Sequence, residues 1–247
     1  MKKKILLVFL LLAAVLMLSA CAKKEETYEA TSNSVPTVLN TSEYVLYQNI
    51  FYNNYGSRYD GKTVTKHGIF TTIQDAYSDV TRYYVWGYND MTKCCDWQWE
   101  LNVTDAANLP ANGSLIDVKG TFASSGSALD GYWIEKPEIT LLTAYTGKTA
   151  ELDMTTMSDT LERVQLINVM NWVDKFAGKS VYAYGRILDT TTLQDPYYDG
   201  SWTTACSSAD QIPATGTSVV LRGTVAAMQS GDRTTSVIDD AKIELMN

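Results

Sequence analysis

The chain has 247 residues, of which 45% are hydrophobic and 19% charged. That is enough apolar chain for one large folded unit or two modest ones, and it excludes a disordered or fibrous protein. Asp and Glu outnumber Lys and Arg by 28 to 20, for a net charge of −8. The cations form no stripe, which argues against nucleic-acid binding. A single histidine, His67, argues against His-based triads and multi-His metal sites.

Met1-Lys2-Lys3-Lys4 is a basic start, and Ile5 to Leu18 is an uninterrupted apolar run. The run is shorter than the roughly 20 residues a membrane span needs and reads as a signal-peptide core. Leu18-Ser19-Ala20-Cys21 resembles the lipobox of bacterial lipoproteins. The resemblance implies cleavage before Cys21, acylation of its thiol (palmitate among the acyl groups), and anchoring on the extracytoplasmic face of the cell membrane. Two acyl chains matter, because one alone holds a protein only marginally. Lys23 to Thr41 is polar, has no hydrophobic period, contains Pro36 and reads as a tether. The expected organisation is a signal peptide over 1–20, a tether over 21–41 and two folded domains over 42–147 and 148–247.

The two domains follow from an internal repeat. Asp60-Gly61-Lys62-Thr63-Val64 aligns with Ala177-Gly178-Lys179-Ser180-Val181, and Leu109-Pro110-Ala111-Asn112-Gly113 with Ile212-Pro213-Ala214-Thr215-Gly216. Val118-Lys119-Gly120-Thr121-Phe122 aligns with Leu221-Arg222-Gly223-Thr224-Val225, and Trp133-Ile134-Glu135 with Val237-Ile238-Asp239. A helical stretch opens each repeat, over Ser42 to Asn54 and over Asp159 to Phe176. Asp159 and Glu162 have capping-box spacing. Gly-Lys then starts a strand, Lys62 to Phe70 or Lys179 to Leu188. Repeat one continues with strands over Arg82 to Tyr88, Asp96 to Val103, Leu115 to Phe122 and Tyr132 to Leu142. Repeat two continues with Ser218 to Ala226 and Ser236 to Leu245. Short strands with turn signals between them predict a mainly β protein of two tandem OB-like five-stranded barrels, each preceded by an N-terminal helix. A single β-sandwich built from both halves is the alternative.

The most unusual segment is Lys93-Cys94-Cys95-Asp96-Trp97-Gln98-Trp99-Glu100-Leu101. Strand alternation puts Cys95, Trp97, Trp99 and Leu101 on an inner face, and Cys94, Asp96, Gln98 and Glu100 on an outer one. The segment resembles a group of largely uncharacterised bacterial lipoproteins, mainly from Gram-positive organisms. These place an adjacent Cys pair, four residues and then Glu on an OB-like domain. Cys94, Cys95 and Glu100 match that spacing, whereas Gln98 stands where the family has Gly. The resemblance implies a fold and an envelope location and brings no established activity. Three chemistries compete for the pair. One is a zinc site, with Cys94, Cys95, Glu100 and His67 as candidate ligands. Another is a redox pair, within itself or with Cys206. The third is a packing role beside Trp97 and Trp99.

Tyr84, Trp86 and Tyr88 share one strand face, and Tyr197, Tyr198 and Trp202 crowd a loop-like stretch. The strand aromatics read chiefly as core, and the loop aromatics as candidate ligand-binding residues. His67 stands where the second repeat has Tyr184, which favours packing or hydrogen bonding over catalysis. Gly61-Lys62-Thr63 lacks the context of a phosphate loop. No catalytic residue is identified and no cofactor is expected unless the Cys pair holds zinc. The expected function is a lipid-anchored binding module for an envelope protein, peptide or glycan. Thiol-redox or metal handling at Cys94-Cys95 is the alternative.

Overall fold

The computed structural model describes residue 50 and residues 56–88, 96–125, 131–188, 192–194, 203–206 and 212–245. The protein is mainly β. Strands β1 (Thr63–Asp75), β2 (Val80–Tyr88), β3 (Asp96–Asn102), β4 (Leu115–Ser124) and β5 (Tyr132–Thr143) close a barrel in the order β1-β2-β3-β5-β4. Most neighbours are antiparallel. The exception is β3 beside β5, where Glu100–Asn102 run parallel to Trp133–Glu135. This arrangement is compatible with an OB-type barrel.

Alternation decides what fills the barrel. Val64 and Phe70 of β1, Val85 of β2, and Trp97, Trp99 and Leu101 of β3 point inward. They pack with Ile116, Val118, Phe122 and Ile134, and with Ile50 from upstream. Trp97 and Trp99 meet edge to face, with ring centroids 4.8 Å apart, as predicted for the inner face of the Cys-Cys strand. Among these apolar side chains lies Lys66, which is fully buried. Its Nζ donates to His67 O at 2.8 Å and stands 5.3 Å from the Trp97 ring centroid. An ammonium taken out of water is tolerated only where such partners replace hydration.

The second sheet contains β6 (Leu152–Asp153), β7 (Ser180–Ile187), β8 (Thr192–Gln194), β9 (Thr203–Cys206), β10 (Ser218–Ser230) and β11 (Arg233–Leu245). Its order is β10-β11-β9-β8-β7-β6, with a further pairing of β10 to β7. The short strands β6, β8 and β9 carry no clear sequence signal and were not among the expected elements. Between β6 and β7 lie a 3-10 turn at Met154–Thr156, helix α1 (Asp159–Asn171) and helix α2 (Val173–Phe176). The expected single helical stretch is therefore broken at Trp172, whose φ of −133° and ψ of 47° leave the helical region. The helical stretch expected over Ser42 to Asn54 lies outside the described residues apart from Ile50.

The aligned repeat blocks fall on equivalent backbone features. In β4 the register slips at Gly120, and in β10 at Gly223. A Cβ on Gly120 would lie 2.3 Å from Ile134 Cγ2, and one on Gly223 2.3 Å from Ile238 Cγ2. Just beyond these contacts, Lys136 and Asp240 take positive φ values of 49° and 50°. Both ladders thus bend at the same place by the same device, a bulge that only a glycine opposite can accommodate.

The two sheets share one hydrophobic core. Ile69, Ile73 and Trp86 from the outside of the first barrel cluster with Leu161, Leu166 and Val169 of α1. Phe176 of α2 and Val181, Val219 and Leu221 of the second sheet belong to the same cluster. Burial on both faces lets β1 run on to Asp75, five residues beyond its expected end at Phe70.

Candidate functional site

The sequence candidates disperse. Cys21, Cys94, Cys95, Tyr197, Tyr198 and Trp202 lie outside the described residues. His67 sits on β1 with its Nδ1 2.7 Å from Asp117 Oδ1, directly across the β1–β4 ladder. Glu100 sits on β3 and accepts from Arg82 Nη1 at 3.0 Å. Glu100 pairs with Tyr84, which pairs with Thr71. His67 is thus four residues away along β1 and two strands across, about 13 Å and 10 Å by strand geometry. The two do not share a site. The backbone of Cys206 lies in β9 beside Ile238 of β11. Among the described residues no group of three or more His, Cys, Asp and Glu is placed to hold a metal.

Tyr84, Trp86 and Tyr88 are packing residues, as the chief reading had it, but they do not fill a barrel. They project from the outside of β2 into the core shared by the two sheets. Trp86 Nε1 donates to Thr156 O at 2.9 Å. Burial pushes the Tyr88 hydroxyl up to about 12, with the carboxylates of Asp159, Asp96 and Glu162 adding to it. Tyr184, the counterpart of His67, is likewise raised to about 12 by burial, with Glu162 nearby. The outer face of β2, which the barrel would otherwise offer to a ligand, is occupied from within the chain.

Two polar features frame this junction. Asp153 of β6 is fully buried and accepts from Thr155 N at 3.2 Å and Thr155 Oγ1 at 2.6 Å. Its second oxygen has no hydrogen-bond partner among the described residues. Burial raises its carboxyl to about 6, against the lowering effect of the Thr155 bonds. On the other side a cleft of about 130 Å³ opens between the β1–β2 turn, α2 and the start of β7. Gln74, Asp75, Asp79, Lys175, Phe176 and Lys179 line it.

The cleft is built by its own hydrogen bonds. Asp75 accepts from Tyr77 N, Ser78 N, Ser78 Oγ and Arg82 Nε, which tightens the turn and holds its carboxyl down at about 2. Lys175 Nζ donates to Ala76 O at 2.6 Å and lies 3.4 Å from Asp79. Lys179 Nζ donates to the Gln74 side chain. Gln74 N in turn donates to Gln165 Oε1 of α1 at 2.8 Å. These cations bind the turn of the first barrel to α2 and to the start of β7. Sequence reading missed Lys175, Lys179 and Gln74 because nothing in their spacing shows that the two repeats touch here. Lys66 did carry a signal, a lone cation on the apolar face of an alternating strand.

Compared with known proteins, the chain matches no protein-family model and no curated protein.

Proposed function

We propose that the protein is a lipoprotein, anchored at Cys21 on the extracytoplasmic face of a bacterial membrane. Its folded part is a rigid binding module of two tandem OB-like barrels, each preceded by a helix. The observation that carries the architecture is the shared ladder pattern. The pairings β7-β8, β8-β9, β9-β11, β11-β10 and β10-β7 repeat those of β1-β2, β2-β3, β3-β5, β5-β4 and β4-β1. The parallel pair occupies the same position in each, and so does the bulge.

In chain order the two unusual segments stand between equivalent pairs of strands. Cys94-Cys95 falls in the connection from β2 to β3, and Tyr197 to Trp202 in the connection from β8 to β9. In the first unit the outer face of β1 and β2 packs against the second. In the second unit the corresponding positions, Arg186 of β7 and Leu188 just after it, are exposed. Ligand contact therefore falls to the second unit, through Tyr197, Tyr198 and Trp202. An envelope peptide or glycan suits flat aromatic side chains.

Two measurements test the proposal on the full chain. Metabolic labelling with palmitate should mark the wild type, and Cys21→Ser should lose both label and membrane retention. Screening against envelope peptides and glycans should then give a ligand whose binding Tyr198→Ala and Trp202→Ala weaken at unchanged melting temperature. Binding that survives both substitutions would remove the loop from the site. Stoichiometric zinc, or a thiol pair that cycles between oxidised and reduced forms, would favour the Cys94-Cys95 reading instead.

A further inference from the structure

Helix α1 is amphipathic in an unusual sense. Its inward side includes three polar residues, Glu162, Gln165 and Asn168, which are 2%, 0% and 7% exposed. Its outward side carries Val164, Ile167 and Met170, which are 43%, 44% and 38% exposed. Their spacing of three makes them one ridge on the solvent side of the helix. At the C-terminal end of the helix Trp172 meets Tyr77 edge to face, with centroids 6.2 Å apart, and Tyr77 is 83% exposed. Folding of the chain alone does not call for this pattern, because polar residues at the three outer positions would keep the buried side intact.

We propose that the outer face of α1, with Tyr77 and Trp172 at its end, docks on the lipid surface to which the chain is anchored. The inference rests on the reading of Cys21 as a lipid anchor. Ile50, which already packs in the first barrel, follows Cys21 by 29 positions. A coil of that length reaches about 27–32 Å on average, so the anchor holds the folded part beside the bilayer at high local concentration. The size of the face also selects the occupant. Five side chains cannot supply the roughly 1,200 Å² of a stable protein interface, which argues against a second copy. A tethered protein needs no such area, because the acyl chains provide the affinity and the face only sets orientation. Tyr and Trp suit the boundary between headgroups and acyl chains.

The experiment uses the full chain, produced in a bacterial host with its leader and reconstituted into phosphatidylethanolamine–phosphatidylglycerol vesicles. Some of the lipids carry a photoactivatable diazirine in the acyl chain. After illumination, lipid adducts are mapped by mass spectrometry, and acylation of Cys21 is read from the same digest. Adducts should concentrate on the peptides containing Val164 to Trp172 and Tyr77. They should be lost from α1 in a Val164→Gln, Ile167→Gln, Met170→Gln variant whose circular dichroism and melting temperature match the wild type. Should that variant unfold, Tyr77→Ser on the exposed turn serves as the second variant, with loss of adducts at α1 the expected result. An acylated protein with adducts spread evenly over its surface, or absent from α1, overturns the docking face and leaves the anchor standing. A protein without acylation at Cys21 overturns the anchor and the docking face together. Protein–protein crosslinks at α1 in place of lipid adducts assign the ridge to self-association and also overturn the proposal.

Discussion

The indole of Trp86, on the first barrel, donates to the main-chain oxygen of Thr156, in the turn before α1, at 2.9 Å. Thr71 of β1 reaches the same turn, 3.3 Å from Thr156 Oγ1. These bonds lie within a core to which both sheets contribute. Trp86→Phe keeps most of the apolar area and strands the Thr156 carbonyl, at a cost of about 1–3 kcal/mol. Trp86→Ala adds a cavity and should cost about 3–5 kcal/mol. Because the core is shared, the wild type should melt in one cooperative transition. Trp86→Ala should separate it into two, seen by calorimetry. Two transitions already present in the wild type would contradict a shared core.

Asp96 makes a second tie between the halves. Its carboxylate accepts from Thr160 N at 2.9 Å and Thr160 Oγ1 at 2.8 Å, at the N-terminal turn of α1. Ser158 caps the same turn through Leu161 N. A carboxylate placed there satisfies a free N–H and opposes the helix dipole. Asp96→Ala should destabilise the protein by about 1 kcal/mol, and Asp96→Asn by less. Denaturant titration of the two variants side by side measures the difference. Equal losses would mean that the whole effect rests on the charge, and no loss in Asp96→Asn that the charge contributes nothing.

Much of the first barrel was legible because its signals are local. Gly61-Lys62 marks the start of β1, and alternation over Asp96 to Leu101 correctly put Trp97 and Trp99 inside. Alternation also grouped Tyr84, Trp86 and Tyr88, but it could not say what covers that face. The answer lies about 70 residues away at Thr156, and no period encodes a contact at that distance. The break at Trp172 was hidden for a related reason, since no Gly or Pro marks it. Glu100 and His67 looked like partners only because ligand types were counted without geometry. Their registers place them two strands apart. Lys66 was passed over because a buried ammonium contradicts the binary pattern that reveals the strand.

The pH dependence of stability should carry two opposed contributions. Asp153, raised to about 6 by burial, binds a proton more tightly in the folded state than in the unfolded chain. Its contribution to stability is therefore greatest when it is protonated, below about pH 4, and falls as pH rises toward about 6. From the size of the shift the loss is on the order of 3 kcal/mol. Asp75, lowered to about 2, acts in the other direction, stabilising above about pH 4 and losing that effect as pH falls toward 2. Stability measured by denaturant titration across this range should peak near pH 4. Asp153→Asn should flatten the decline between pH 4 and 6 and leave the acid limb unchanged. An unaltered profile in that variant would assign the decline to other groups.

The paired bulges offer the sharpest test of the internal repeat as a physical device. Gly120 faces Ile134, and Gly223 faces Ile238, and a methyl group at either position would overlap its neighbour. Gly→Ala usually stabilises a strand slightly by restricting the unfolded chain, so a loss here must come from the clash. Gly120→Ala and Gly223→Ala should each cost about 1–3 kcal/mol. Removing the overlapped methyl should restore part of the loss, through Ile134→Ala for the first and Ile238→Ala for the second, each read against its Ile→Ala variant alone. Crossed pairs, such as Gly120→Ala with Ile238→Ala, should show no rescue. Double-mutant cycles by urea titration read both terms. Coupling of similar size at the two sites would mean that the repeats keep one bulge geometry, and coupling at only one would mean that the second ladder closes differently.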